Sequence, residues 1–307
     1  MNKTPKLSVI VPTYNRAALL QLTLRSLVEQ TINKDDFEVI VVDDGSSDNS
    51  PDIVRSFSGK LNIDYLWQED KGFRVAGARN KGALLAKAPY LVFIDSGVSL
   101  ASSALANMLN AFLTPLAKPK AIIGFIHGFG VEDEYTLNQF RHLARGSADH
   151  CIRWLKKHSL YDPRKVQYDE LGSEIDLWPA PFDIFWGGLM GVERKQFQEL
   201  GGFDQSFNSW GGEDVDLGIR LFLQGCQFVL AEKVESYHYP HITDSNIQKE
   251  CTALACAKKL HDKYGLWQTD YYNYNQDDAV MTPLNLMITR MKARLVRQEY
   301  VKVSQNA

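Results

Sequence analysis

The stretch FEVIVVDDGS, residues 37–46, decides the fold. Its apolar run is short, rich in β-branched residues and nearly continuous rather than alternating. That is the pattern of a strand buried on both faces, as in a parallel sheet covered by helices. It closes on two acids and a Gly-Ser turn, so it carries charge to one edge of the sheet. The neighbouring segments repeat the plan. LSVIVPTYN (7–15), NIDYLWQE (62–69), YLVFID (90–95) and KAIIGFI (120–126) read as further strands. Between them, AALLQLTLRSLVEQT (17–31) places Leu20, Leu24, Leu27 and Val28 at helical spacing. PDIVRSF (51–57) reads as a helix with Ser50 as N-cap and Pro51 as first helical residue. AGARNKGALLAKA (76–88) and SSALANMLNAFL (102–113) read as two more.

Short apolar strands alternating with helices imply parallel βαβ units, whose ligands bind beyond the C-terminal strand ends. Those ends carry Pro12-Thr13-Tyr14-Asn15, Asp43-Asp44-Gly45-Ser46 and Asp95-Ser96-Gly97, which are expected along one edge. No G-x-G-x-x-G follows the first strand, which argues against the dinucleotide-binding fingerprint.

The composition fits a globular protein: 307 residues, 45% hydrophobic and 23% charged. A net charge of −3 argues against bulk nucleic-acid binding, which relies on a positive field. Cys151, Cys226, Cys251 and Cys256 lack metal-site spacing and read as reduced, buried thiols. The first strand begins too early for a secretory signal, and no apolar run is long enough to span a membrane. A cytoplasmic protein, at most peripheral to a membrane, is expected.

Residues 127–180 are more polar and less regular, and read as an ordered excursion or a flexible loop. Then come a Gly- and aromatic-rich region (182–225), a strand QFVLAEKVESYHY (227–239) and a helix NIQKECTALACAKKLHDKYG (246–265). The tail, 281–307, carries five Lys/Arg and one Glu, with Leu284, Ile288, Met291 and Leu295 on one helical face. It reads as a helix packing on the body or a partner, or touching a membrane surface.

Three constellations carry chemistry. Asp43-Asp44 ends a strand in a turn, which suits both local turn bonding and a ligand. In NSWGGEDVDLGIRL (208–221), Glu213 and Asp214 open a helix, where the dipole favours anions. Trp210 and two glycines directly before them suit a sugar, which stacks on an aromatic face and offers hydroxyl protons to a carboxylate. In ESYHYPH (235–241), His238 and His241 read either as buried hydrogen-bonding residues or as ligands for a divalent ion.

VIVPTYNR (9–16), VVDDGSSDNS (41–50), the Arg-Asn of AGARNKG (76–82) and LGGFDQSFNSWGGEDVDLGIRL (200–221) together resemble glycosyltransferase family 2. The second half is similar to the branch shared with chondroitin polymerase and the β-1,4-galactosyltransferases. The resemblance implies a GT-A fold: α/β, one Rossmann-like, mostly parallel sheet flanked by helices, with a C-terminal helical extension. It implies a nucleotide-sugar half over 1–126, an acceptor-binding and catalytic half over 127–264, and a helical tail over 265–307. Pro12, Tyr14 and Arg16 would line the nucleotide pocket, Asp44 would meet the base, and Arg79 would face the nucleotide or its diphosphate. Asp95 would meet the ribose or a metal, Gly187 and Gly188 would lie beneath the donor sugar, and Trp210 and Glu213 would hold the acceptor. Asp214 would be the general base and His238 a metal ligand.

The implied reaction is inverting transfer of a Gal-, GalNAc- or Glc-type hexose from a nucleoside diphosphate sugar, UDP-linked by resemblance, to a hydroxyl of a glycan or small molecule. A non-catalytic nucleotide- or sugar-binding module of the same fold is the alternative. Gly97 stands where the family's D-x-D motif has its second acid. Three solutions follow: Asp95 and His238 hold Mn²⁺ or Mg²⁺ in a weaker site, Arg79 and Lys71 replace the metal, or the chain does not catalyse.

Overall fold

The computed structural model describes residues 4–129, 134–240, 246–276 and 282–293. Eight strands form a single sheet: β1 (Leu7–Thr13), β2 (Phe37–Asp43), β3 (Ile63–Trp67), β4 (Tyr90–Ile94), β5 (Val98–Leu100), β6 (Lys120–His127), β7 (Leu189–Glu193) and β8 (Gln227–His238). Their spatial order is β3-β2-β1-β4-β7-β6-β8-β5. All but β5 and β7 run one way, since β7 pairs antiparallel with β4 and β6, and β5 antiparallel with β8. The expected mostly parallel α/β sheet is therefore present.

Burial on both faces explains the continuous apolar runs. Val9, Val11, Val39 and Val41 point into one core with Leu20, Leu24 and Leu27 of α1 (Ala17–Val28) and Leu105 and Met108 of α4 (Ala104–Leu113). Their neighbours Ile10, Ile40 and Val42 point into the other. There they meet α3 (Val75–Leu85), α9 (Glu213–Leu223) and α10 (Asn246–Tyr264). Each strand thus feeds two cores through its period of two.

The register sets the functional edge. Thr13 pairs with Asp43, and the Asp44 amide donates to the Thr13 carbonyl at 2.9 Å. Ser96 Oγ donates to the Pro12 carbonyl at 2.8 Å, tying the turn after β4 to the end of β1. All three strand-end clusters lie on one edge, as their order implied.

The excursion is ordered where it is described. It holds α5 (Glu134–Leu143), α6 (Ala148–Lys157) and α7 (Lys165–Leu171). A fully buried ion pair, Arg164–Asp162 at 2.6 Å, anchors it. Arg164 donates to the carbonyls of Gly124 (2.7 Å) and Ile184 (2.9 Å), while Asp162 accepts from the Ile126 amide (2.8 Å). The described part of the tail, 282–293, packs on the body. Leu284 and Ile288 of a helix over 284–293 are buried in the second core, so they are not open to a membrane or partner. Met291 is half-buried and Leu295 lies outside the described residues. Among the described residues no helix is long and apolar enough to cross a membrane. Cys151, Cys226 and Cys256 are buried and unpaired, and the Cys251 side chain lies outside the description.

Arg164→Met should leave Asp162 buried without its counter-charge and lower stability by about 3–5 kcal/mol. Urea unfolding measures this; a loss below 1 kcal/mol would show that Asp162 finds another partner.

Candidate functional site

The edge is braced by local bonds before any ligand is considered. Asp43 closes the β2 turn on itself, accepting from the amides of Gly45 (3.1 Å) and Ser46 (2.7 Å) and from the Tyr65 hydroxyl (2.7 Å). The β1 and β2 loops are laced together. The Asn15 amide donates to Ser46 Oγ, and its side-chain oxygen accepts from the Ser47 amide, both at 2.8 Å. Asp44 points the other way. It accepts from Gln68 Nε2, from the Arg74 amide and from Arg74 Nη2, the last two at 3.0 Å. Tyr14 is 46% exposed and donates to Asp70 at 2.8 Å. Pro12 is buried at the end of β1, and Arg16 is exposed at the start of α1.

A second group forms where β4, α3, α9 and the 187–188 turn converge. The Arg79 guanidinium, 3% exposed, donates to Asp95 Oδ1 (2.8 Å) and to Glu213 Oε1 (2.7 Å). Burial works against its charge, but Asp95, Glu213 and Asp214 more than offset that and hold it protonated. Gly187 sits against this guanidinium: a Cβ there would lie 2.5 Å from Arg79 Nη2. The Gly187 amide in turn donates to Asp214 Oδ2 at 2.9 Å, and the Asp95 amide donates to the Gly188 carbonyl at 3.3 Å. Six of the expected residues, Arg79, Asp95, Gly187, Gly188, Glu213 and Asp214, therefore form one unit with Arg79 at its centre. Glu213 differs from expectation in its exposure. At 4% it is buried beside Arg79 rather than open in a cleft, and Oε2 has no partner among the described residues.

Burial raises the Asp214 carboxyl, against the Gly187 hydrogen bond and the Arg79 charge. Burial also raises Glu213, with the Asp214 charge adding to it. Trp210 stands at the tip of the turn before α9, 53% exposed, and Gly212 caps the helix in the left-handed region.

Gly97 has a backbone reason. The Val98 amide donates to the Asp95 carbonyl at 3.0 Å, closing a turn with Gly97 at its third position and φ +101°. A Cβ there would face Leu19 of α1, with Leu19 Cδ1 at 3.5 Å. The Gly97 amide bonds Thr23 Oγ1 (2.9 Å) and its carbonyl accepts from the Tyr239 amide (2.8 Å). A second acid at 97 is thus opposed by the turn and would leave the backbone aimed at α1.

Among the described residues no three of His, Cys, Asp and Glu converge as a metal-ligand set. Asp95 gives one oxygen to Arg79 and, with a side chain 41% exposed, keeps the other open. His238 ends β8 opposite Val98, and its ring stacks on Phe129 at 5.1 Å. Asp95 after β4 and His238 at the end of β8 are thus an oxygen and an imidazole of the kinds a divalent ion takes. His241 lies outside the described residues. Lys71, the other cation considered, pairs with Glu69 at 3.0 Å on the surface and stays apart from Arg79.

Known proteins resemble this chain in sequence and fold. A family model described as "Glycosyl transferase family 2" matches residues 8–171, and one described as "N-terminal domain of galactosyltransferase" matches residues 173–243. This chain belongs to glycosyl transferase family 2. It is 37% identical over 239 residues to validoxylamine A glucosyltransferase of Streptomyces hygroscopicus subsp. jinggangensis, covering 77% of this chain and 56% of that one. It is 31% identical over 246 residues to chondroitin synthase of Pasteurella multocida, covering 78% and 25%. The chain thus spans about half the length of the first relative and a quarter of the second. Among solved structures it resembles a mannosyltransferase from Pyrobaculum calidifontis in complex with GDP-Man and Mn²⁺, with TM-score 0.57 and 20% identity over 98% of this chain and 83% of that one. That likeness shows the GT-A fold.

Within this family 2 framework, four functional candidates escaped the sequence. Arg74 occupies Asp44, and nothing in QEDKGFR (68–74) singles it out. Asp183 accepts from the Tyr272 hydroxyl at 2.7 Å, and Trp186 Nε1 donates to the Asp183 carbonyl at 2.9 Å. The acid just before W-G-G was the available signal; Tyr272, 89 residues on, left none.

Gly187→Ala should press its methyl into the pinned Arg79 guanidinium and lower stability by about 1–3 kcal/mol. Denaturant titration reads this directly, and wild-type stability would mean that Arg79 can step aside.

Proposed function

We propose that this chain is an inverting glycosyltransferase that moves a hexose from a nucleoside diphosphate sugar to a hydroxyl of a glycan or small molecule. The carrying observation is Asp214 at the start of α9, held by the Gly187 amide beside the Arg79–Asp95 pair. In this reading residues 1–126 bind the donor, 127–264 bind the acceptor and catalyse, and 265–307 extend the body. Pro12, Tyr14, Arg16 and Asp44 form the nucleotide side. Arg74 must yield or share Asp44 when a base arrives, because it already fills that carboxylate.

Asp214 takes the proton of the acceptor hydroxyl as its oxygen bonds the anomeric carbon. The bond from that carbon to the diphosphate breaks on the opposite face, and its electron pair leaves with the diphosphate. Arg79 places a fixed positive charge where that charge develops. Gly187 and Gly188 let the sugar approach the backbone and Trp210 offers the acceptor an aromatic face, while the buried Glu213 acts behind it by holding Arg79 in place. Asp95 and His238 are the residues that would hold Mn²⁺ or Mg²⁺, which when bound neutralises charge on the diphosphate. The glucosyltransferase and chondroitin synthase relatives support hexose chemistry, and the family resemblance favours UDP over the GDP of the mannosyltransferase structure.

Asp214→Asn should keep UDP affinity within a few-fold and cut turnover by at least about 100-fold. Because the Asp214 carboxyl is raised by burial, turnover should fall as pH drops through a value above that of an ordinary aspartate. Near-normal turnover of the variant would remove Asp214 as base. Calorimetric titration of UDP, with GDP as control, should give tighter binding in Mn²⁺ than in EDTA. Equal affinity would remove Asp95 and His238 as metal ligands, and no binding of either nucleotide would sink the donor site.

A further inference from the structure

The base candidate is mounted by a buried turn, one of whose supports comes from beyond residue 264. Residues 183–187 carry Asp183 at one end and the Gly187 amide, donor to Asp214, at the other. Besides the backbone bond from the Trp186 amide to the Ile184 carbonyl (3.0 Å), three side-chain contacts hold the span between. Trp186 Nε1 closes it onto the Asp183 carbonyl (2.9 Å), Arg164 Nη1 donates to the Ile184 carbonyl (2.9 Å), and the Arg164 guanidinium lies 4.9 Å over the Trp186 ring. The remaining anchor comes from the 3-10 segment Thr269–Gln276, beyond both family matches, which end at residue 243. Tyr272 donates to Asp183 Oδ1 at 2.7 Å, and Gln268 Nε2 donates to the Pro179 carbonyl at 3.1 Å. The C-terminal segment therefore grips this chain just before the turn and at its first residue.

We propose that Tyr272 is a positioning residue: through Asp183 and the 183–187 turn, it holds the Gly187 amide against Asp214 and so sets the orientation of the base. This rests on the glycosyltransferase reading for its consequence in turnover, but not for the coupling itself. The alternative partners of the turn are accounted for. Arg164 is committed to Asp162, and Asp183 has no other side-chain partner among the described residues. Around Asp214 the charged and titratable groups among the described residues are Arg79 from α3, Asp95 after β4, Glu213 beside it, Arg164 from the excursion, Cys256 from α10, Asp183 and Tyr272. None but the 183–187 turn supplies Asp214 with a hydrogen bond from outside its own helix.

The test pairs Tyr272→Phe with Asp183→Asn in the full chain. Asparagine keeps a side-chain oxygen for the Tyr272 hydroxyl, so it preserves the mount while removing the charge. Tyr272→Phe should lower kcat for release of UDP from UDP-hexoses by about 10- to 100-fold, with UDP affinity unchanged, as expected when a reacting group is misplaced. Asp183→Asn should fall between it and wild type. Amide hydrogen exchange supplies a readout that needs no substrate. Gly187 should exchange about tenfold faster in Tyr272→Phe, while Leu189–Glu193 of β7 stay as protected as in wild type. If wild type releases no UDP from any UDP-hexose, the glycosyltransferase reading falls, and Gly187 exchange still decides the positioning. Wild-type exchange at Gly187 in Tyr272→Phe overturns the proposal. So does an Asp183→Asn defect larger than that of Tyr272→Phe, which would assign the effect to charge.

Discussion

Arg79 is the constraint on which the rest of the site depends. It is a guanidinium taken out of water, and such a charge is tolerable only when paired and hydrogen-bonded. Its two carboxylates come from distant parts of the chain: Asp95 follows β4, and Glu213 opens α9. Docking α9 against the first-half strands is therefore coupled to satisfying one buried cation. The same demand explains Gly187, where no side chain fits, and the burial of Glu213. It also divides the work of Asp95. One oxygen is committed to Arg79, so only the other is free for a ligand.

Much of this was legible because burial writes itself into the residue types. Continuous apolar strands, helical spacing at Leu20, Leu24 and Leu27, and polar clusters at strand ends follow from a sheet covered on both faces. The two antiparallel strands were not legible. LMGVE in β7 is five residues with a central glycine, set in a Gly- and aromatic-rich region, and VSL in β5 is three. Their identity comes from the partners they slot between, which local pattern does not encode.

The site divides the same way. Residues at strand ends or a helix start, such as Asp44, Asp95 and Asp214, are announced by position. Arg74, Asp183 and Tyr272 act through pairings 30 and 89 residues apart, which no spacing rule reports. Lys71 shows the converse. A lysine near the right loop is a reasonable cation by sequence, yet an exposed glutamate two residues away takes it.

Gly97 joins these threads. A D-x-D pair needs a backbone that presents two side chains to one point, whereas here the turn after Asp95 runs through a positive φ. Both its amide and its carbonyl are already engaged, by Thr23 of α1 and by Tyr239 just past β8. The glycine is thus part of how β4, α1 and the end of β8 meet, with His238 opposite Val98 at the start of β5. Restoring an acid at 97 would have to rebuild that junction before it could serve a cation. In the proposed transfer, charge compensation at the diphosphate would therefore start from the buried Arg79, the open oxygen of Asp95 and the imidazole at the end of β8.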